Sequence, residues 1–170
     1  GSVAFVVAAG GTTAPAYQWQ VNAGGGFSNV AGGIYTGAND DTLLIDPVSS
    51  GMTGYRYRAV ISGTCGPEAY SGSGILTVNQ KPEISTQPQN HTVCEDGNVS
   101  FTVNAGATTA PTYQWQVNEG SGYINISASL EAAYYSGENT NTLTLTGAIS
   151  NMHNNTYQVI VSGTCVPAIT

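Results

Sequence analysis

Thr12-Thr-Ala-Pro-Ala-Tyr-Gln-Trp-Gln-Val-Asn22 returns almost unchanged as Thr108-Thr-Ala-Pro-Thr-Tyr-Gln-Trp-Gln-Val-Asn118, ten identities in eleven at an offset of 96. The echo continues outward. Phe27-Ser-Asn-Val30 answers Tyr123-Ile-Asn-Ile126, and Tyr35-Thr-Gly37 answers Tyr135-Ser-Gly137. Ser62-Gly-Thr-Cys65 answers Ser162-Gly-Thr-Cys165, by which point the offset is 100 because the second copy carries four extra residues near Ser129 to Ala132. A period near 100 is too long for a solenoid repeat of roughly 20–50 residues and matches one whole small domain. The chain therefore reads as an array of like modules, divided near Asn79-Gln-Lys-Pro82 into residues 1–80 and 81–170.

Composition narrows the function. The 170 residues are 41% hydrophobic, enough for two ordinary cores, yet only 8% charged, against roughly 25% in a typical soluble domain. Only Arg56, Arg58 and Lys81 are basic, and the net charge is −7. Phosphate neutralisation needs clustered Lys and Arg, so a nucleic-acid partner is excluded, and an anionic membrane surface is disfavoured for the same reason. No apolar run approaches the ~20 residues of a spanning helix, so membrane insertion is not expected.

The pattern is one of strands. Val99-Ser-Phe101-Thr-Val103, Tyr113-Gln-Trp115-Gln-Val117, Thr142-Leu-Thr-Leu145 and Tyr157-Gln-Val159 alternate with period two, and Gly, Asn, Ser and Pro punctuate between them. Val3-Ala-Phe5-Val-Val7, Thr42-Leu-Leu-Ile45 and Tyr57 repeat these features in the first copy. Short strands with turn signals every 8–12 residues predict an all-β sandwich.

The order of the signals resembles an immunoglobulin-like domain of the intermediate type: an acidic-Gly turn (Glu95-Asp-Gly97), a Trp on strand C, a TLTL strand E, and a Tyr two residues before the core position of strand F. The resemblance makes Trp19 and Trp115 the buried strand-C tryptophans. It makes Tyr57 and Tyr157 corner tyrosines whose hydroxyls bond to backbone at the E–F corner. In its terms the first copy lacks strand A and the second lacks strand G. Such an open edge invites pairing with another chain. The strand B and F positions that usually hold a disulfide are Val7 and Ala59 in one copy, Val103 and Val159 in the other.

The three cysteines fall elsewhere. In that topology Cys94 lies in the A–B turn, and Cys65 and Cys165 lie in F–G turns, at opposite ends of a sandwich and so roughly 25 Å apart. A disulfide needs Cα atoms about 4.4–6.8 Å apart, so Cys94–Cys165 within one module is disfavoured. The resemblance instead suggests a bond from each A–B cysteine to the F–G cysteine of the following repeat. Bonding within a repeat and free thiols stay open as alternatives.

Little in the sequence points to catalysis or to a cofactor. His91, on the expected strand A, and His153, in the E–F turn, are the only histidines and read as solvated residues; neither has a cysteine at zinc-ligand spacing. Asp40, Asp41 and Asp46 flank strand E and are calcium candidates, although the second copy has Asn139 and Asn141 near there. Tyr35, Tyr134 and Tyr135 near strand D are candidates for a sugar-stacking platform, against ordinary strand-face packing. Asn-x-Ser/Thr sequons occur at Asn90, Asn98, Asn125 and Asn154.

The phrasing of the repeat, with TVCEDG, YQWQVN, TLTL and VSGTC recurring in order, is similar to the Ig-like repeats of very large surface proteins of Bacteroidetes, including gliding and attachment adhesins exported by type IX secretion. Asp41-Thr42-Leu43 also resembles the O-glycosylation motif of that phylum. The resemblance implies an extracellular, cell-surface or secreted location and a non-enzymatic stalk or adhesive role. The implied partners are neighbouring repeats and a surface polysaccharide or protein. The alternatives are an accessory module of a secreted enzyme and a strand-exchanging filament subunit.

Overall fold

The computed structural model describes all 170 residues, which form two compact units, Gly1–Val78 and Asn79–Thr170. No helix is long and apolar enough to cross a membrane.

The first unit carries β1 (Val3–Val6), β2 (Ala16–Asn22), β3 (Phe27–Asn29), β4 (Tyr35–Thr36), β5 (Thr42–Ile45), β6 (Arg56–Ser62), β7 (Ala69–Tyr70) and β8 (Gly74–Ile75). One antiparallel sheet runs β1-β5-β4; the other runs β3-β2-β6, with β7 and β8 both on the outer edge of β6. Period-two alternation decides which residues go inside. In β5, Leu43 and Ile45 are fully buried while Leu44 between them is 39% exposed. Trp19, Tyr57, Ala59, Ile61 and Leu76 complete the same core.

The second unit repeats the plan with β9 (Val99–Thr102), β10 (Thr112–Asn118), β11 (Tyr123–Asn125), β12 (Tyr135–Ser136), β13 (Thr142–Leu145) and β14 (Thr156–Ser162). Its sheets are β9-β13-β12 and β11-β10-β14. Trp115, Val117, Leu143, Val103, Val159 and Val161 fill the space between them. Burying each such side chain is worth about 1.5–3 kcal/mol, and together they offset part of the entropy lost in ordering the chain.

Most of the internal repeat is scaffold. The recurrent Thr-Thr-Ala-Pro loop lies against the recurrent Ser-Gly-Thr-Cys loop: Thr64 N–H donates to the Thr13 carbonyl at 3.1 Å, and Thr164 N–H to the Thr109 carbonyl at 3.0 Å. A Cβ on Gly63 would sit 2.5 Å from the Thr12 methyl, and one on Gly163 would sit 2.7 Å from the Thr108 methyl. Only glycine admits that approach. Within the Thr-Thr-Ala-Pro loops, Ala14 and Ala110 turn the chain at φ +49° and +50°.

Two expectations about strands need correction. His91 lies in no strand: the one bridge of the segment before β9 is at Thr86–Asn104, short of His91, and Pro88 removes a donor between them. Strand G, expected to be missing from the second unit, is begun there at Ile169. In the first unit it is split into β7 and β8, because Ser71 interrupts it by accepting the Ala59 N–H on its hydroxyl at 2.8 Å. The counterpart of its first half is present in the second unit, where Ile169 bridges Val161 in the same register as Ala69 on Ile61.

Candidate functional site

The tryptophans sit where C-strand alternation puts them, 3% exposed at Trp19 and 0% at Trp115. Each ties β2 or β10 to the loop before strand E through two bonds. The Trp19 backbone N–H donates to the Ala38 carbonyl at 2.8 Å and its indole N–H to the Asp40 carbonyl at 2.9 Å. Trp115 donates to Glu138 at 2.8 Å and, through the indole, to Thr140 at 3.0 Å.

The corner-tyrosine expectation fails. Tyr57 is buried and its hydroxyl has no hydrogen-bond partner. Tyr157 is half-buried, and its hydroxyl pairs with that of Tyr135 at 2.9 Å rather than with backbone. Both rings lie inward, Tyr57 tilted against Phe5 at 4.8 Å and Tyr157 stacked on Phe101 at 4.7 Å, and the Tyr157 hydroxyl reaches Tyr135 of strand D instead of the corner. Burial raises the pKa of Tyr57, Tyr135 and Tyr157, which keeps all three phenols neutral.

The sugar platform is not assembled. Tyr135 is 8% exposed, and Tyr35 packs half-buried on the core with its ring 6.3 Å from that of Tyr57. Only Tyr134, at 37%, faces outward, at the end of the short 3-10 turn Ala132–Tyr134 that precedes β12. The calcium candidates are not gathered either: Asp40 and Asp41 precede β5 while Asp46 follows it, about 17 Å from Asp41 along the strand. No three His, Cys, Asp or Glu residues converge on a metal-sized site.

All three cysteines are free. Cys94 sits beside Gly97, whose carbonyl accepts the Ala148 N–H beyond the end of β13; Cys165 follows Thr164, which bonds to Thr109 before β10. They occupy opposite ends of the second unit, separated by the length of β14.

Two features escaped sequence reasoning. One is a carboxylate cluster built on the four extra residues. Ser129 is buried; its hydroxyl donates to Glu119 and accepts the Glu131 N–H at 3.0 Å. Glu131 Oε2 is buried without a partner, and burial together with the adjacent Glu119 carboxyl raises the Glu131 pKa. Leu130 at the tip is fully exposed. The insertion itself was the only signal.

The other is a groove of about 580 Å³ in the second unit. Pro88 to Glu95 form one wall and Ile149 to Tyr157 the other; Val99, Phe101 and Leu145 form the floor. His91 and His153 both border it, His91 with its ring edge-on to Phe101 at 5.3 Å.

Two sheets of this order, packed around a strand-C tryptophan, agree with what comparison finds: residues 81–162 match the family model described as an immunoglobulin domain. Each unit is an immunoglobulin-like sandwich. The chain is similar in fold to Drosophila OTK extracellular domains 3–5, at TM-score 0.53 and 17% identity over 88% of this chain and 47% of that one. It is also similar to a marsupial T cell receptor, at TM-score 0.50 and 14% identity over 94% of this chain and 61% of that one. In sequence it is 30% identical over 118 residues to Endoglucanase C of Cellulomonas fimi. That match takes in 69% of this chain and 10% of the endoglucanase, so the chain spans about a tenth of its relative's length.

Proposed function

We propose that these two immunoglobulin-like sandwiches are a non-catalytic, extracellular repeat segment of a large bacterial surface protein, an adhesin stalk of the kind the repeat phrasing resembles. The observation that supports this most is where the repeated residues go. The Thr-Thr-Ala-Pro loop, the Ser-Gly-Thr-Cys loop and the tryptophan bonds hold each sandwich together, and none of them lines the groove of the second unit. A repeat whose longest identical stretch goes into holding the frame suits a spacer whose task is length and stiffness. The test is small-angle scattering on proteins with increasing numbers of these units, alongside a glycan array. A maximum dimension that grows linearly with unit number, with no glycan retained, is expected. Linear growth failing would sink the stalk reading.

The similarity to Endoglucanase C supports a second reading, an accessory module of a secreted polysaccharide-degrading enzyme. Retention of the chain on cellulose or on one glycan class would decide for it.

A further inference from the structure

The two units depart from each other in charge at two places, and the departures are complementary. Arg56 and Arg58 stand two residues apart on β6, opposite Asn22 and Gln20, and so share the sheet face turned away from Trp19. The Arg58 guanidinium carbon lies 4.0 Å from the centre of the Phe27 ring and 4.6 Å from that of Tyr70. Phe27 comes from β3 and Tyr70 from β7, on opposite sides of β6, so the guanidinium is held between two rings. Its Nε donates to Gln20 Oε1 at 2.9 Å, and Gln20 Nε2 donates in turn to Asn29 Oδ1 at 2.9 Å. The rings and Gln20 thus fix the group while the edge bearing its two Nη atoms stays open. A guanidinium edge takes a carboxylate through two parallel bonds. Tyr70 at 56% and Ile75 at 55% exposure add apolar surface to the same face.

The second unit keeps the relay and drops the charge. Gln158 Nε2 donates to Gln116 Oε1 at 2.7 Å and Gln116 Nε2 to Asn125 Oδ1 at 2.9 Å, but Thr156 and Gln158 replace the arginines. It gains an acidic tip instead. Glu119, where the first unit has Ala23, and Glu131 meet at Ser129, and Glu131 Oε2 has no partner. Burial and Glu119 both hold the Glu131 pKa up, with no cation opposing them. Leu130 projects from this tip fully exposed. One chain therefore carries a guanidinium edge without an anion and a carboxylate pair without a cation, each beside exposed apolar surface.

We propose that the Leu130 tip of one chain docks on the Arg58 face of a second copy, with a carboxylate of the Glu119–Glu131 pair bridging the two Nη atoms and the leucine lying against Tyr70 and Ile75. Opposite charges meet and the apolar side chains cover one another. A flat sheet face lacks the concavity of a small-ligand site, whereas arginine among aromatic side chains is typical of the centre of a protein contact. The two surfaces are unlike and each chain has one of each, so association runs head to tail. The inference goes beyond the stalk reading and does not rest on it, since it concerns pairing between copies.

The test is sedimentation of the whole 170-residue chain at low salt, from about 10 μM to about 1 mM, the affinity range of a small contact. Two variants accompany it. Arg58→Gln installs the residue that the second unit carries in the same relay, and Leu130→Ser alters a side chain wholly in solvent, so both keep the fold, which circular dichroism checks. The unaltered chain is expected to gain mass with concentration and to lose it with added salt. Each variant alone is expected to associate at least about tenfold more weakly. Mixed, the two are expected to form a 1:1 complex and nothing larger, because one keeps the tip and the other keeps the face. An unaltered chain that stays monomeric throughout, a variant that associates as well as the unaltered chain, or a mixture that stays monomeric overturns the proposal.

Discussion

The indole N–H of Trp115 donates to the carbonyl oxygen of Thr140 at 3.0 Å, twenty-five residues along the chain. The bond joins the middle of one sheet to the loop that starts the central strand of the other, and Trp19 makes its counterpart to Asp40 at 2.9 Å. Trp115→Phe removes that donor, strands a carbonyl and leaves a void. We expect a loss of about 2 kcal/mol in the stability of the second unit, read as a lowered urea midpoint at unchanged slope. A loss under a few tenths would show that the bond is incidental to the packing.

Gly137 makes the turn on the far side of that bond. Its φ is +81°, and an added Cβ would run into the Thr142 carbonyl oxygen, as at Gly37 in the first unit. Gly137→Ala should cost at least about 2 kcal/mol, from backbone strain and displacement of β13. Thermal unfolding of the variant checks this; an unchanged midpoint would contradict the geometry.

The two strand-F tyrosines should respond oppositely to loss of a hydroxyl. In Tyr57→Phe the lost oxygen had no partner, so stability should hold or rise. In Tyr157→Phe the Tyr135 hydroxyl loses its 2.9 Å partner while 8% exposed, and a cost of about 1 kcal/mol is expected. A double-mutant cycle of Tyr135→Phe with Tyr157→Phe isolates the pair; a coupling energy of zero would refute it.

Glu131 should make the second unit pH-dependent. Its folded-state pKa is raised above the ordinary 4.5, first by burial and then by Glu119. Below the ordinary value both folded and unfolded chains hold the proton, and this contribution to stability is fully present. As pH rises the unfolded chain releases the proton first, and the contribution is lost as pH passes through the raised folded value. Stability should therefore fall from about pH 4 toward neutrality, and Glu131→Gln should flatten that fall. Denaturant midpoints of both proteins across this range test it; parallel curves would place the carboxyl in solvent.

Non-reducing peptide mapping after oxidation should find no Cys94–Cys165 bridge within a chain. The seven residues of β14 separate the two ends by roughly 23 Å, several times the Cα spacing a disulfide allows. Recovery of that peptide pair from a monomer would show that the strand order is wrong.

The duplication, the strand periodicity and the tryptophans were open to reading because they are local. A period of two is written in neighbouring residues, and a repeat is visible by alignment of the chain with itself. These alone determined two all-β sandwiches, each built around one tryptophan, with a composition unsuited to nucleic acid. Contacts between residues far apart in sequence were decided only by the tertiary structure. Tyr35 and Tyr135 read as candidates for a sugar-stacking platform near strand D, yet sheet packing sets their rings against Tyr57 and Tyr157. Asp40, Asp41 and Asp46 read as a cluster because they are near in number, yet an extended strand carries its two ends apart at about 3.3 Å per residue. The groove is the clearest case. Its walls, Pro88 to Glu95 and Ile149 to Tyr157, come from segments some sixty residues apart and meet only because the sandwich packs them side by side.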